Sequence, residues 1–252
     1  MAYMVKEKDT PAELYINTNQ TQVVYAQGAN LTWTKCGAKQ VVTISEDKKC
    51  AFMVIVSISC FGKLLPLQLI YQGVTTKSCP RSTAVCYDKC VSHGFQFECS
   101  KTDTYWSTQK TMASLVDNVI TPYFNAEKKA LGLPPTQKAI CQIDIWSVHC
   151  SEKFWLWMKK HHPTIIIQFV LGGCIGVLQP CDIVIQWVFK HALKWSYHED
   201  IVKIMTVQIE SGAKKWVFDK WCGLLWDQSM KWVWDVYMGV NKPDIIWNGH
   251  KT

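Results

Sequence analysis

Apolar and polar residues alternate along Glu13–Thr21 (ELYINTNQT), the period-two signature of a strand with one covered face. Cys50–Ser59 (CAFMVIVSIS) is almost unbroken apolar and β-branched sequence, which predicts a strand buried on both faces. Leu64–Tyr71 (LLPLQLIY) follows Phe61-Gly62-Lys63, a glycine-centred segment that reads as a hairpin turn. The period then lengthens. Within Ser107–Asn125, Met112, Leu115, Val116, Val119 and Ile120 fall on one helical face, with Ser107 placed to cap it. After Leu133-Pro134-Pro135, Lys138–Ile145 and Thr164–Val170 read as buried strands on either side of a helix, Ser151–His161. A glycine-rich loop, Leu171–Gly176, leads to Gln179-Pro180-Cys181-Asp182 and a helix of about fifteen residues. The order β-β-β-α-β-α-β-α predicts an α/β fold, a mixed five-stranded sheet flanked by helices. One domain is expected over 1–252, with a core over about 13–200 and a helical, more polar tail over about 201–252.

Composition narrows the class. The chain has 252 residues, 48% of them hydrophobic, with only 9 Pro and 13 Gly, which excludes a disordered or collagen-like chain. A formal net charge of +7 suits a polyanionic partner without requiring one. Charges within Met1–Asp9 occupy the place where a signal peptide needs an apolar run, and Ile165–Leu178 is too short to span a bilayer. A nuclear or intracellular protein is therefore expected, not secreted and not in a membrane, with its 12 cysteines reduced. Cys79, Cys86, Cys90, His93 and Cys99 are dense but lack the close cysteine pair of a zinc site, so a thiol-bearing loop is expected there.

Two acids stand where chemistry is often found. Asp144 ends an apolar strand, the edge at which α/β sheets collect ligands, and Asp182 follows a proline at a helix start. A strand-end turn residue and a helix N-cap are the structural alternatives for them. Together they have the hard oxygens that Mg²⁺ prefers. His149, one turn beyond Asp144, reads either as a second-layer or phosphate contact or as a buried structural histidine. His161-His162 reads as a polar loop, and Lys190, His191 and Lys194 as a phosphate-facing or simply solvated helix face.

Several ordered segments carry a resemblance. Asp144-Ile-Trp-Ser-Val-His-Cys-Ser-Glu-Lys-Phe154, Phe169-Val-Leu-Gly-Gly-Cys-Ile-Gly176 and Gln179-Pro-Cys-Asp-Ile-Val-Ile-Gln186 resemble the DDE superfamily endonuclease domain of mariner–pogo transposases, in its fungal form. Gly37–Val41, Leu65–Gly73, Tyr105–Thr108 and Asn241–Pro243 are similar too, so the likeness runs over roughly residues 13 to 245. It implies an RNase H-like fold, three carboxylates holding two Mg²⁺ or Mn²⁺ ions, and DNA as partner. The family's second and third acids fall on Asp144 and Asp182, which makes them the metal ligands. The first acid belongs in a pattern like Asn-x-Asp-Gln-Thr-Gln. This chain reads Asn17-Thr18-Asn19-Gln20-Thr21-Gln22, so the catalytic set is Asn19, Asp144 and Asp182.

A neutral amide is a poor bridge between two dications, so impaired catalysis and weak metal binding are expected. Trp155, Trp187, Trp195, Trp226 and Cys50 stand where the family pattern has Arg, Leu171 replaces Pro, Ile175 and Met53 replace Thr, and Gln228 replaces Arg. Each of these, like Asp→Asn, needs one C-to-T or G-to-A transition, the trace of cytosine deamination in a decaying transposon copy; Val184 in place of Gly does not fit. That would explain the 13 Trp, and Trp216, Trp221, Trp226, Trp232, Trp234 and Trp247 of the tail are expected to be exposed and destabilising rather than base-stacking. The function expected is a transposase-derived domain that binds DNA through its backbone, without the family's N-terminal helix-turn-helix modules. The alternatives are an active divalent-metal-dependent endonuclease and a non-catalytic interaction protein, with a homo-oligomer open in each case.

Overall fold

The computed structural model describes residues 10–24, 51–170, 173, 179–212 and 222–250. The similar segment Gly37–Val41, most of Leu171–Gly176, and Cys50, Trp216 and Trp221 lie outside the described residues. Six strands form one mixed sheet: β1 Tyr15–Val24, β2 Ala51–Ser59, β3 Gln68–Tyr71, β4 Gln96–Cys99, β5 Ala139–Asp144 and β6 Ile165–Val170, in the order β4-β3-β2-β1-β5-β6. The β1–β2 and β2–β3 pairs are antiparallel, while β3–β4, β1–β5 and β5–β6 are parallel. The expected α/β architecture, an RNase H-like mixed sheet flanked by helices, is what the chain adopts. The strand count is corrected from five to six. The extra strand β4 is short, alternates apolar and polar residues and pairs at the edge beside β3, after a left-handed Gly94.

The hairpin turn is where the glycine placed it. Gly62 has φ of 87°, and the Ser59 N–H bonds to the Lys63 carbonyl at 2.8 Å. Helix α1 (Tyr87–Ser92) precedes β4. Helix α2 (Gln109–Leu115) passes through a π turn, Val116–Ile120, into α3 (Thr121–Ala130). The widened turn stands just before Pro122, whose missing N–H cannot continue the ladder. Its cap is Thr108, in a reciprocal capping box with Thr111, and not Ser107. Ser107 instead donates to Gln20 Oε1 on β1. Ser151 caps α4 (Glu152–His161) by accepting the Phe154 N–H.

Beyond β6, a second π turn (Cys181–Ile185) opens α5 (Gln186–Glu210), which at 25 residues is longer than the expected helix. Then come α6 (Cys222–Val240) and α7 (Pro243–His250). One face of the sheet buries Leu14, Ile16, Met53 and Ile55 against α2, α3 and α4. The other buries Val23, Phe52, Val54 and Val56 against α5 and α6. The tail is therefore core, not a polar extension: Leu225, Met230, Trp232, Val233, Val236 and Tyr237 are all buried. The expectation of exposed tail tryptophans is overturned where the side chains are described. Trp232 is 1% exposed and donates to Asp200 at 2.6 Å, Trp226 packs edge-on to Tyr71, and Trp234 packs on His93 and Phe95.

Candidate active site

The site is built on the central strand. Alternation sends Asn17 and Asn19 to the same face of β1, the face that α5 covers. Asn17 is wholly buried and fastens three elements at once. Its amino group donates to Gln142 Oε1 on β5 at 3.2 Å, and its Oδ1 accepts the Cys181 N–H at 3.0 Å. The Cys181 thiol returns a bond to the Asn17 carbonyl at 3.3 Å. A buried, fully paired amide of this kind fixes position, because any shift would orphan its partners.

The catalytic candidates follow from that anchor. Parallel register sets Asn17 opposite Gln142. Two residues further along each strand come Asn19 and Asp144, and one residue beyond Cys181 comes Asp182. Asn19 is 5% exposed, and its Oδ1 accepts the Gln20 N–H at 2.7 Å. The Asn19 side chain also acts on the Asp182 carboxyl, favouring its ionised form as a hydrogen-bond donor does. The π turn that carries Asp182 is a local widening of a type often found at functional positions.

Charge in the site is under-compensated. Desolvation raises the Asp182 carboxyl above its ordinary value and the nearby Asp144 charge adds to it, while the Asn19 hydrogen bond and Lys190 oppose the rise. His149 is 1% exposed, and its Nδ1 lies 2.9 Å from Asp144 Oδ1 and 3.1 Å from the Asp144 carbonyl oxygen. The Nδ1 edge of His149 therefore stands within reach of both Asp144 oxygens, while Thr21 Oγ1, two residues beyond Asn19, is buried without a hydrogen bond. A cavity of about 190 Å³ opens here, walled by Gln20, Thr21, Trp106, Asp144, Trp146 and Lys190.

The partly exposed Asp144 carboxylate and the desolvated carboxylate of Asp182 offer the hard oxygens that fit one divalent cation. The third position offers an amide, and no group of three or more His, Cys, Asp or Glu able to hold a metal occurs among the described residues.

The other sequence candidates separate. His162 bonds to Asp117 at 2.9 Å and Thr121 at 3.1 Å, a structural role rather than a polar loop. His191 stacks on Trp187 and accepts the Trp195 indole N–H at 2.9 Å on an exposed helix face. Burial pushes the Cys79 and Cys90 thiols up to about 12, which leaves them protonated and inert. Lys190 alone of its group lines the cavity. Asn17, Gln142, Thr21 and Trp106 were not singled out as site residues; the two-residue spacing to Asn19 and Asp144 was the available signal for Asn17 and Gln142.

The fold, a mixed sheet flanked by helices, is similar to that of solved mariner transposase structures. Among solved structures, the chain matches "Mos1 transposase paired-end complex with left transposon end" at 11% identity and a TM-score of 0.51, over 99% of this chain and 55% of that one. It also matches "Crystal structure of the Mos1 mariner paired end complex with Mn" at 8% identity and a TM-score of 0.51, with the same coverages. At these identities the likeness is one of fold, and the chain spans about half the length of the solved chains it matches. No protein-family model and no curated protein matches the sequence. Among the described residues, no helix is long and apolar enough to cross a membrane.

Proposed function

We propose that this chain is a transposase-derived DDE endonuclease-like domain that binds DNA in the Asp144 cleft and has lost two-metal catalysis through Asn19. The observation that carries this reading is the register that sets Asn19, an amide, on β1 beside the β5 end that bears Asp144, with Asn17 tying both strands to the turn that bears Asp182. Three carboxylates at such a place would repel one another without ions and neutralise two dications with them. With an amide in the first position, repulsion falls and a hydrogen bond to Asp182 takes its place. Asp144 and Asp182 then hold a single Mg²⁺ or Mn²⁺ weakly. When bound, such an ion polarises a phosphoryl oxygen or lowers the pKa of a water. His149 steadies Asp144 through its main chain, and Lys190 draws phosphate toward the cleft. The natural setting of the activity is the nucleus.

The test pairs two assays. Supercoiled plasmid with Mg²⁺ or Mn²⁺ is expected to remain uncut, while a DNA-binding titration shows affinity that falls as salt rises. Metal-dependent nicking by the unaltered protein would overturn the impairment. Absence of DNA binding at low salt would favour a non-catalytic interaction protein.

A further inference from the structure

Two cavities are lined by neighbouring stretches of the chain. The first is the cleft at Asp144, walled in part by Trp106 and Trp146. The second, of about 260 Å³, is bounded by Gln109, Lys110, Lys153, Phe154 and Trp157. Trp106 and Trp146 line the first, and residues further along the same two segments, Gln109 and Lys110, then Lys153, Phe154 and Trp157, line the second. The two segments thus lead from one cavity to the other along one surface track.

Aromatic rings mark the passage. Tyr105 stacks on Trp106 with centroids 5.9 Å apart, and Trp106 leans on Trp146 at 6.1 Å. Trp106 is nonetheless 48% exposed, a large aromatic face that folding has left open at the mouth of a cleft. In the far compartment the rings are already engaged, Trp157 being stacked on the buried Phe154 at 6.2 Å and on His161 at 5.5 Å, so that its free contribution is cationic. Cations alternate with these rings. Lys190 stands on the first cavity, while Lys110 and Lys153 stand on the second, and neither of the latter two has an ion-pair partner among the described residues.

We infer that this track receives an unpaired nucleic-acid strand, with bases stacking on Trp106 and Trp146 and phosphates passing to Lys110 and Lys153. The inference rests on the DNA-binding reading of the cleft and adds the form of the ligand. Stacking on an exposed indole needs a base free of its partner, whereas a paired duplex offers such a site only backbone. Free lysines at the side of the rings match the charge of a strand whose bases are engaged by the rings.

Fluorescence anisotropy with a labelled single-stranded oligodeoxynucleotide and its duplex tests this on the full chain. The single strand is expected to bind more tightly. Trp106→Ala should weaken it roughly five- to hundred-fold, the range for one stacked base, and should weaken duplex binding by a clearly smaller factor. Trp106→Phe, which keeps a stacking face, should retain most of the affinity and guards against misfolding as the cause. Lys110→Ala with Lys153→Ala should flatten the single-strand slope of log K against log salt by about 1.4. Duplex binding equal to or tighter than single-strand binding, with Trp106→Ala silent, would overturn the strand track and leave the DNA-binding reading standing. Failure to bind either form would remove both.

Discussion

Two pairs of carboxylates behave oppositely in this molecule. Asp200 and Asp227 line a cavity between α5 and α6, and their oxygens are engaged. Asp227 accepts the Arg81 main-chain N–H at 2.8 Å and the guanidinium at 2.6 and 2.5 Å, and Asp200 accepts the Trp232 indole at 2.6 Å with Lys203 at 3.8 Å. Asp144 ends β5 with one carboxylate oxygen against His149 alone, and Asp182 lies in the π turn with a carboxyl raised by desolvation, a rise that Asn19 and Lys190 oppose. The chemistry of the side chains is the same. What differs is saturation: a structural acid spends its acceptors on the protein, whereas a site acid keeps capacity for something else.

Breaking each pair should separate the two kinds. Asp227→Ala removes three hydrogen bonds and leaves an Arg81 main-chain N–H without its acceptor, so a loss of about 2 kcal/mol is expected in denaturant unfolding. A change below about 0.5 kcal/mol would mean that this acid is no more structural than a surface residue. Asp182→Asn should act in the other direction and more weakly. A carboxyl raised by folding stabilises the fold below its unfolded value of 3.8, and that contribution is lost as pH rises through the higher folded value. Above that window the ionised Asp182 is a net cost, which the amide removes. The variant should then match the parent at acid pH and melt slightly higher at neutral pH. A variant that melts lower at neutral pH would show that Asp182 is already satisfied.

Much of this was legible. The apolar runs of β2, β5 and β6 are long enough that burial leaves them few alternatives, and their boundaries moved by a residue or so. Motif order singled out Asn19, Asp144 and Asp182, and the β1–β5 register together with the turn at Cys181 places them on adjoining elements. Strand β4 could not be expected, because a four-residue alternation, Gln96–Cys99, is too short to stand out from a loop. The tail was misread for a different reason. Leu225, Trp232, Val236 and Val240 recur at helical spacing and are buried, but an unusual number of tryptophans suggested damage rather than packing. Trp187 and Trp195, by contrast, do stand exposed at 68% and 60%. Their residue type gives no hint of the difference; their partners do, since α6 covers the opposite face of α5.

The central claim is that Asn19 occupies the position of a lost carboxylate facing the ion site. Thermal unfolding of the parent and of Asn19→Asp, each with and without Mn²⁺, tests it most directly. Without metal the variant should melt lower, since a third carboxylate replaces a hydrogen-bond donor beside Asp182 and Asp144. With Mn²⁺ it should gain more than the parent does, because binding to the folded state stabilises by mass action and a third acid raises affinity. Identical Mn²⁺ responses from the two proteins would contradict the account, since they would mean that residue 19 does not face the ion.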